Sequence, residues 1–152
     1  MELHAAGENA LILYLGHETS PAIAAQVQAA GAAIEAALGE DLVDLVPSYA
    51  SILVIYDPLK TDHLEVGRRL HAALAGLSPD AVLEGRCVTL PVYYSPETGA
   101  DLAELAARAG ISIEEVISIH SGTEYRVYAI GFAPGFAYLG QFDARIAAPR
   151  LA

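Results

Sequence analysis

Leu42-Val43-Asp44-Leu45-Val46-Pro47-Ser48-Tyr49-Ala50-Ser51-Ile52-Leu53-Val54-Ile55-Tyr56 is the stretch that decides the fold. Two runs, Leu42 to Val46 and Ser51 to Tyr56, are rich in residues that suit a pleated, half-buried surface. They flank Pro47-Ser48-Tyr49, and the second ends at the turn-forming Asp57-Pro58. The spacing predicts a β-hairpin. Upstream, Ala10 to Leu15 is an apolar run too short for a helix and closed by Gly16, which predicts a buried strand. Between these strands, Ser20-Pro21 supplies an N-cap followed by proline at the first helical position. Ile23, Val27, Ile34 and Leu38 then recur at helical spacing as far as Gly39.

Downstream of the hairpin, Asp62 and Glu65 have the separation of a capping box, and Leu70, Leu74 and Leu77 continue an apolar stripe. After Pro79 and Gly85, Arg86 to Tyr94 reads as a further strand. The order strand, helix, strand, strand, helix, strand is that of a split βαβ or ferredoxin-like layer, so the expected fold class is α+β. The second half changes character. Asp101 with Glu104 opens a short helix ending near Gly110, and Ser112 with Glu115 caps another. Glu124 to Ile130 is strand-like and runs into a glycine and aromatic segment from Gly131 to Gly140.

Composition narrows the function classes. The 152 residues are 54% hydrophobic and 18% charged, enough for a packed core and too short for an autonomous multidomain enzyme. Eight Lys and Arg against 19 Asp and Glu give a net charge of -11, which repels a nucleic-acid backbone. No uninterrupted apolar run approaches the roughly 20 residues of a bilayer crossing, and the start lacks the pattern of a secretory signal. Cytoplasmic residence without membrane contact is the expectation, and the single cysteine, Cys87, agrees with a reducing compartment.

Chemistry is expected first in the loop. Gly131, Gly135 and Gly140 permit close backbone approach, and Phe132, Phe136 and Tyr138 can wall a small pocket whose N–H groups receive an anion; a rigid packed turn is the competing reading. His120, just before the strand that enters the loop, is the histidine best placed to act as acid, base or hydrogen-bond donor, or else simply to cap a helix. Asp143, Arg145 and Arg150 follow the loop and suit a carboxylate, or a surface ion pair. Glu114 and Glu115 are explained by a helix N-terminus, and Cys87 by burial in a strand. His63 and His71 lack the spacing of a metal pair, so no metal site is expected. No phosphate loop, nucleophile elbow or zinc-protease motif occurs, which leaves any ATP chemistry to other chains.

His120-Ser121-Gly122-Thr123-Glu124-Tyr125, followed by Ile130-Gly131-Phe132-Ala133-Pro134-Gly135-Phe136-Ala137-Tyr138-Leu139, resembles the signature of a family that comprises the 5-oxoprolinase B subunits, KipI and allophanate hydrolase subunit 1, and that carries carboxyltransferase subdomains C and D. Gly7 to Leu11, Val46 to Tyr49, Leu90 to Tyr94, Asp143 to Arg145 and Pro149-Arg150 extend the resemblance over the whole chain. It implies two domains: a ferredoxin-like domain over residues 1–84 and, over 85–152, the first part of a cyclophilin-like β-barrel in a C-terminally truncated chain. It also implies a component, inactive alone, of an ATP-dependent cyclic-amide hydrolase that converts 5-oxo-L-proline to L-glutamate, in direct contact with the C subunit of 5-oxoprolinase and together with its A subunit. ATP belongs to the complex, and this chain by itself binds no metal or organic cofactor. His120 is then the catalytic candidate. Gly131, Phe132, Pro134, Gly135, Phe136, Tyr138 and Arg150 are the substrate-binding candidates. The alternatives are a KipI-like inhibitor of a sensor histidine kinase and a urea- or allophanate-linked accessory subunit.

Overall fold

The computed structural model describes residues 1–77, 85–140 and 142–149. Contacts divide the chain into two units, Met1–Gly85 with Tyr128–Phe136, and Arg86–Val127 with Ala137–Ala152. The first holds a four-stranded antiparallel sheet of β1 (Glu2–Ala5), β2 (Ala10–Tyr14), β3 (Leu42–Pro47) and β4 (Ser51–Tyr56), in the order β1-β2-β4-β3. Two helices, α1 (Pro21–Leu38) and α2 (His63–Leu74), complete it. The expected hairpin is β3–β4, turned by a Ser48 N–H donating to the Ser51 carbonyl at 2.8 Å.

Alternation along the inner strands explains how the helices attach. Leu11 and Leu13 of β2 and Ile52, Val54 and Tyr56 of β4 point to one face, as a two-residue period requires. They form one core with Val27, Ala30, Ile34 and Leu38 of α1 and Val66, Leu70 and Leu74 of α2. Leu77, beyond the end of α2, still packs against it. Each fully buried aliphatic side chain contributes about 1.5–3 kcal/mol. Pro21–Asp41 has the length and mean hydropathy, 1.2, of a membrane span, yet this core occupies the apolar face of α1.

Both helices start at the residues expected. Ser20 Oγ accepts from Ile23 N–H at 3.2 Å, and Asp62 Oδ1 accepts from Leu64 and Glu65 N–H groups at 2.9 Å. Arg69 ties the two helices together. Its guanidinium donates to the Ala37 and Leu38 carbonyls at the end of α1, both at 3.1 Å, and to Asp41 at 2.7 Å. The buried Tyr56 hydroxyl donates to the Glu8 carbonyl at 3.2 Å and meets His63 Nδ1. Burial, then the Asp62 charge, raises the Tyr56 pKa.

Two expectations are corrected. Arg86–Tyr94 forms no strand; among the described residues it finds no ladder partner, without which an apolar segment has no sheet hydrogen bonds. The strand expected to close the βαββαβ order is therefore missing, and β1, a stretch too mixed to stand out in sequence, occupies the edge beside β2. The coarser α+β assignment stands. Pro79 lies outside the described residues.

The second unit contains α3 (Leu102–Ala109) and α4 (Ile113–Ser121), which bury Leu102, Ala106 and Val116 with Ile146 of a short 3-10 turn, Ala144–Ile146. Ser112 caps α4 through Glu115 N–H at 3.1 Å, as expected. Asp101, expected to cap α3, makes no such bond: it is itself helical in backbone angle, which takes its carboxylate away from the free N–H groups. Gly110, at φ 67°, ends α3 in the left-handed conformation. Two short strands remain, β5 (Val127–Ile130), which from Tyr128 on belongs to the first unit, and β6 (Ala137–Leu139) in the second.

Candidate functional site

The loop between β5 and β6 is built from two nested turns. Gly131 N–H donates to the Phe136 carbonyl at 3.0 Å, closing the loop across its base. Ala133 N–H donates back to the Gly131 carbonyl at 2.8 Å, a three-residue turn that holds Phe132 at φ 66°. Phe136 N–H donates to the Ala133 carbonyl at 3.0 Å. Pro134 and Gly135, at φ 77°, occupy the middle of that second turn, with proline presetting the first angle and glycine accepting the positive one. Among the described residues Phe132 is the one non-glycine at positive φ, where a bulky side chain is strained.

The rings project rather than enclose. Phe132 is 90% exposed and meets Phe136 edge to face at 5.5 Å. Phe136, Tyr138 and Leu139 are partly exposed, Tyr138 lying on β6 beyond the turn. The loop thus gathers Gly131, Phe132, Pro134, Gly135 and Phe136 in one projecting surface, while Arg150 lies outside the described residues. Elsewhere in the first unit, a cavity of about 360 Å³ is lined by Tyr14, Gly16, His17, Tyr49 and Ser51, among others. Tyr49 stacks on Tyr128 at 5.6 Å.

His120 stands in the last turn of α4, in the second unit. Its Nδ1 is 2.6 Å from the Tyr94 hydroxyl. The Tyr125 ring lies 5.4 Å from the imidazole, tilted by 38°, and its hydroxyl donates to the His120 carbonyl at 3.3 Å. Thr123 Oγ1 donates to the Ile119 carbonyl at 2.7 Å, and Gly122 N–H to the Ser118 carbonyl at 3.0 Å, so the end of α4 is closed by several donors. A Cβ on Gly122 would sit 2.9 Å from that Ser118 oxygen, which is why glycine occupies the cap. Tyr94 is fixed by the turn that follows it. There Ser95 Oγ accepts from Thr98 N–H at 3.1 Å, and Thr98 Oγ1 donates to the Tyr93 carbonyl at 3.1 Å. Tyr94 lies in the Leu90 to Tyr94 stretch of the resemblance, but nothing in the sequence paired it with His120, 26 positions away; Tyr125, in the same signature as His120, was legible as a neighbour.

Other candidates are occupied or relocated. Arg145 grips Asp143 through Nη2 at 2.7 Å and Nε at 3.1 Å, so it is the surface ion pair rather than an open carboxylate site. The Arg145 side-chain bond, followed by the Arg145 N–H, holds the Asp143 carboxyl down at about 2. Glu114 is lowered by its own backbone N–H and then by Ser112, as a first-turn carboxylate is. Cys87, expected to be buried in a strand, is exposed because that strand does not form. Among the described residues no three His, Cys, Asp or Glu side chains gather as a metal site.

The sequence profile described as carboxyltransferase domain, subdomain C and D, matches residues 1–152. The chain is 38% identical to the 5-oxoprolinase B subunit of Bacillus subtilis (strain 168), over 95% of this chain and 64% of that protein. It is 36% identical to the 5-oxoprolinase B subunit of Escherichia coli O157:H7, over 74% of this chain and 51% of that one. It therefore spans less than two thirds of these relatives. The crystal structure of TTHA0988 superposes with a TM-score of 0.76 at 35% identity, covering 93% of this chain and 27% of the other. The chain belongs to the carboxyltransferase subdomain C and D family, alongside proteins named as the B subunit of 5-oxoprolinase.

Proposed function

We propose that this chain is part of the B subunit of an ATP-dependent 5-oxoprolinase, which opens 5-oxo-L-proline to L-glutamate in the cytoplasm with an A and a C subunit. The observation that carries the reading is the identity to the Bacillus protein of that name over nearly the whole chain. In this reading the first unit is a ferredoxin-like layer with β1 standing in for its fourth strand. The residues from Gly85 onward begin a cyclophilin-like barrel.

A cyclic amide is a poor electrophile, and charge gathers on its oxygen as the ring opens. A preorganised donor there lowers the barrier, a single such donor being worth about 10²–10³ in rate at established sites. His120 is the group assigned to that oxygen. The loop residues Gly131, Phe132, Pro134, Gly135, Phe136 and Tyr138 form the substrate side shared with the C subunit, and Arg150 meets the carboxylate. ATP is assigned to other chains, since this one carries a net charge of -11 and no phosphate loop. The test is glutamate formation from 5-oxoproline and ATP with all three full-length proteins, omitting each in turn. Loss of product without this one supports the reading, and undiminished product without it ends it.

A second reading is favoured by one observation, the projecting Phe132. An exposed aromatic suits a binding module such as a KipI-like inhibitor of a sensor histidine kinase. Inhibition of kinase autophosphorylation by the isolated protein, lost in Phe132→Ala, would select it over the enzyme component or a urea-linked role.

A further inference from the structure

We propose that Tyr94 is a positioning residue that fixes the tautomer of His120, its hydroxyl donating to Nδ1 so that the ring carries its proton on Nε2. The proposal deepens the assignment of His120 to the reacting amide oxygen and rests on it. Tyr94 Oη and His120 Nδ1 are 2.6 Å apart, and in a neutral imidazole one nitrogen donates while the other accepts. Two arrangements fit that distance. If Nδ1 carried the proton, Tyr94 Oη would accept from it and its own O–H would be left to solvent. A phenol is also a stronger acid than a neutral imidazole N–H, so the O–H to N arrangement is the stronger hydrogen bond.

The surroundings hold both partners in place. The Ser95–Thr98 turn fixes the backbone on either side of the Tyr94 side chain. The Tyr94 ring meets the imidazole edge on, with centroids 5.8 Å apart at 76°, while the Tyr125 ring covers it from another direction at 5.4 Å. Among the described residues Nε2 has no hydrogen-bond partner, and His120 is exposed. The consequence is chemical. His120 offers its surroundings an N–H, which suits polarising a carbonyl oxygen, and not the lone pair that a general base needs.

Long-range proton–nitrogen correlation of the histidine rings in the ¹⁵N-labelled chain at alkaline pH tests this directly, with His120→Gln giving the assignment. The expected wild-type ring has an unprotonated Nδ1 and a protonated Nε2. In Tyr94→Phe that preference weakens by about fivefold, the scale of one neutral hydrogen bond. Tyr125→Phe leaves the preference in place. A wild-type ring protonated on Nδ1 overturns the positioning role and leaves the functional reading standing. In the assembled enzyme, Tyr94→Phe is expected to lower kcat by less than the fivefold change in tautomer ratio, because the ring starts mostly protonated on Nε2, with KM unchanged. Unchanged turnover in His120→Ala overturns the functional reading, and the role with it, while the tautomer survives as a structural fact.

Discussion

Replacing Phe132 by alanine and by glycine should reverse the usual ranking of those two residues. In an ordinary loop, glycine is the less stable choice by about 0.4–1 kcal/mol, because it leaves the unfolded chain more freedom to lose. At φ 66° the side-chain cost dominates: a residue with a Cβ gives up about 1–2 kcal/mol in the left-handed region. Both variants lose the edge contact with Phe136, so that term cancels between them, and the 90% exposure of Phe132 leaves little other burial to lose. The net expectation is that Phe132→Gly is more stable than Phe132→Ala by about 1 kcal/mol. Urea unfolding followed by circular dichroism reads this as a midpoint higher by about 0.5 M, given a slope of about 1–3 kcal/mol per M. Alanine equal to or above glycine would refute the three-residue turn and the strain assigned to Phe132.

Arg69→Met removes three donors at the end of α1 and should lower stability by about 2 kcal/mol, with Arg69→Lys recovering part of it; equal melting of all three proteins would contradict the cap. Asp143 should titrate near 2, and Arg145→Met should return it toward the ordinary 3.8, as followed by carboxyl NMR. Because its pKa is depressed in the folded chain, the stabilisation it gives is full above about pH 4 and disappears as pH falls through about 2; a wild-type value near 3.8 would show the pair to be open. Cys87 should react with a maleimide as readily in the native protein as in urea, whereas protection would mean that Arg86–Tyr94 is covered.

Local signals carried far along this chain. Ser20, Asp62 and Ser112 announced their helices because an N-cap is a contact within four residues, and the β3–β4 hairpin announced itself through its own turn. What was not legible depended on partners outside the segment itself. β1 reads as an unremarkable polar stretch and becomes a strand only by pairing with β2. Arg86–Tyr94 reads as a strand and finds no neighbour among the described residues. The same division holds at the candidate site. The turn-forming roles of Pro134 and Gly135 follow from their residue types, and the conformation of Phe132 does not, since nothing about phenylalanine invites a positive φ. His120 could be singled out by type and place, while its engagement with Tyr94 belongs to the tertiary structure alone.

The strand order of the first sheet also has a consequence for how it assembles. Each outer strand is joined to an inner one by a short turn, β1 to β2 and β3 to β4, whereas the β2–β4 ladder joins residues 10–14 to residues 51–55 across α1. The sheet is thus two prefabricated halves that meet along a single long-range seam, and the loop entropy of closing that seam falls on one step. Truncations along the seam, such as Leu13→Ala and Val54→Ala, should then slow refolding in stopped-flow measurements, whereas truncations in the outer strands should mainly shorten the time the unit stays folded.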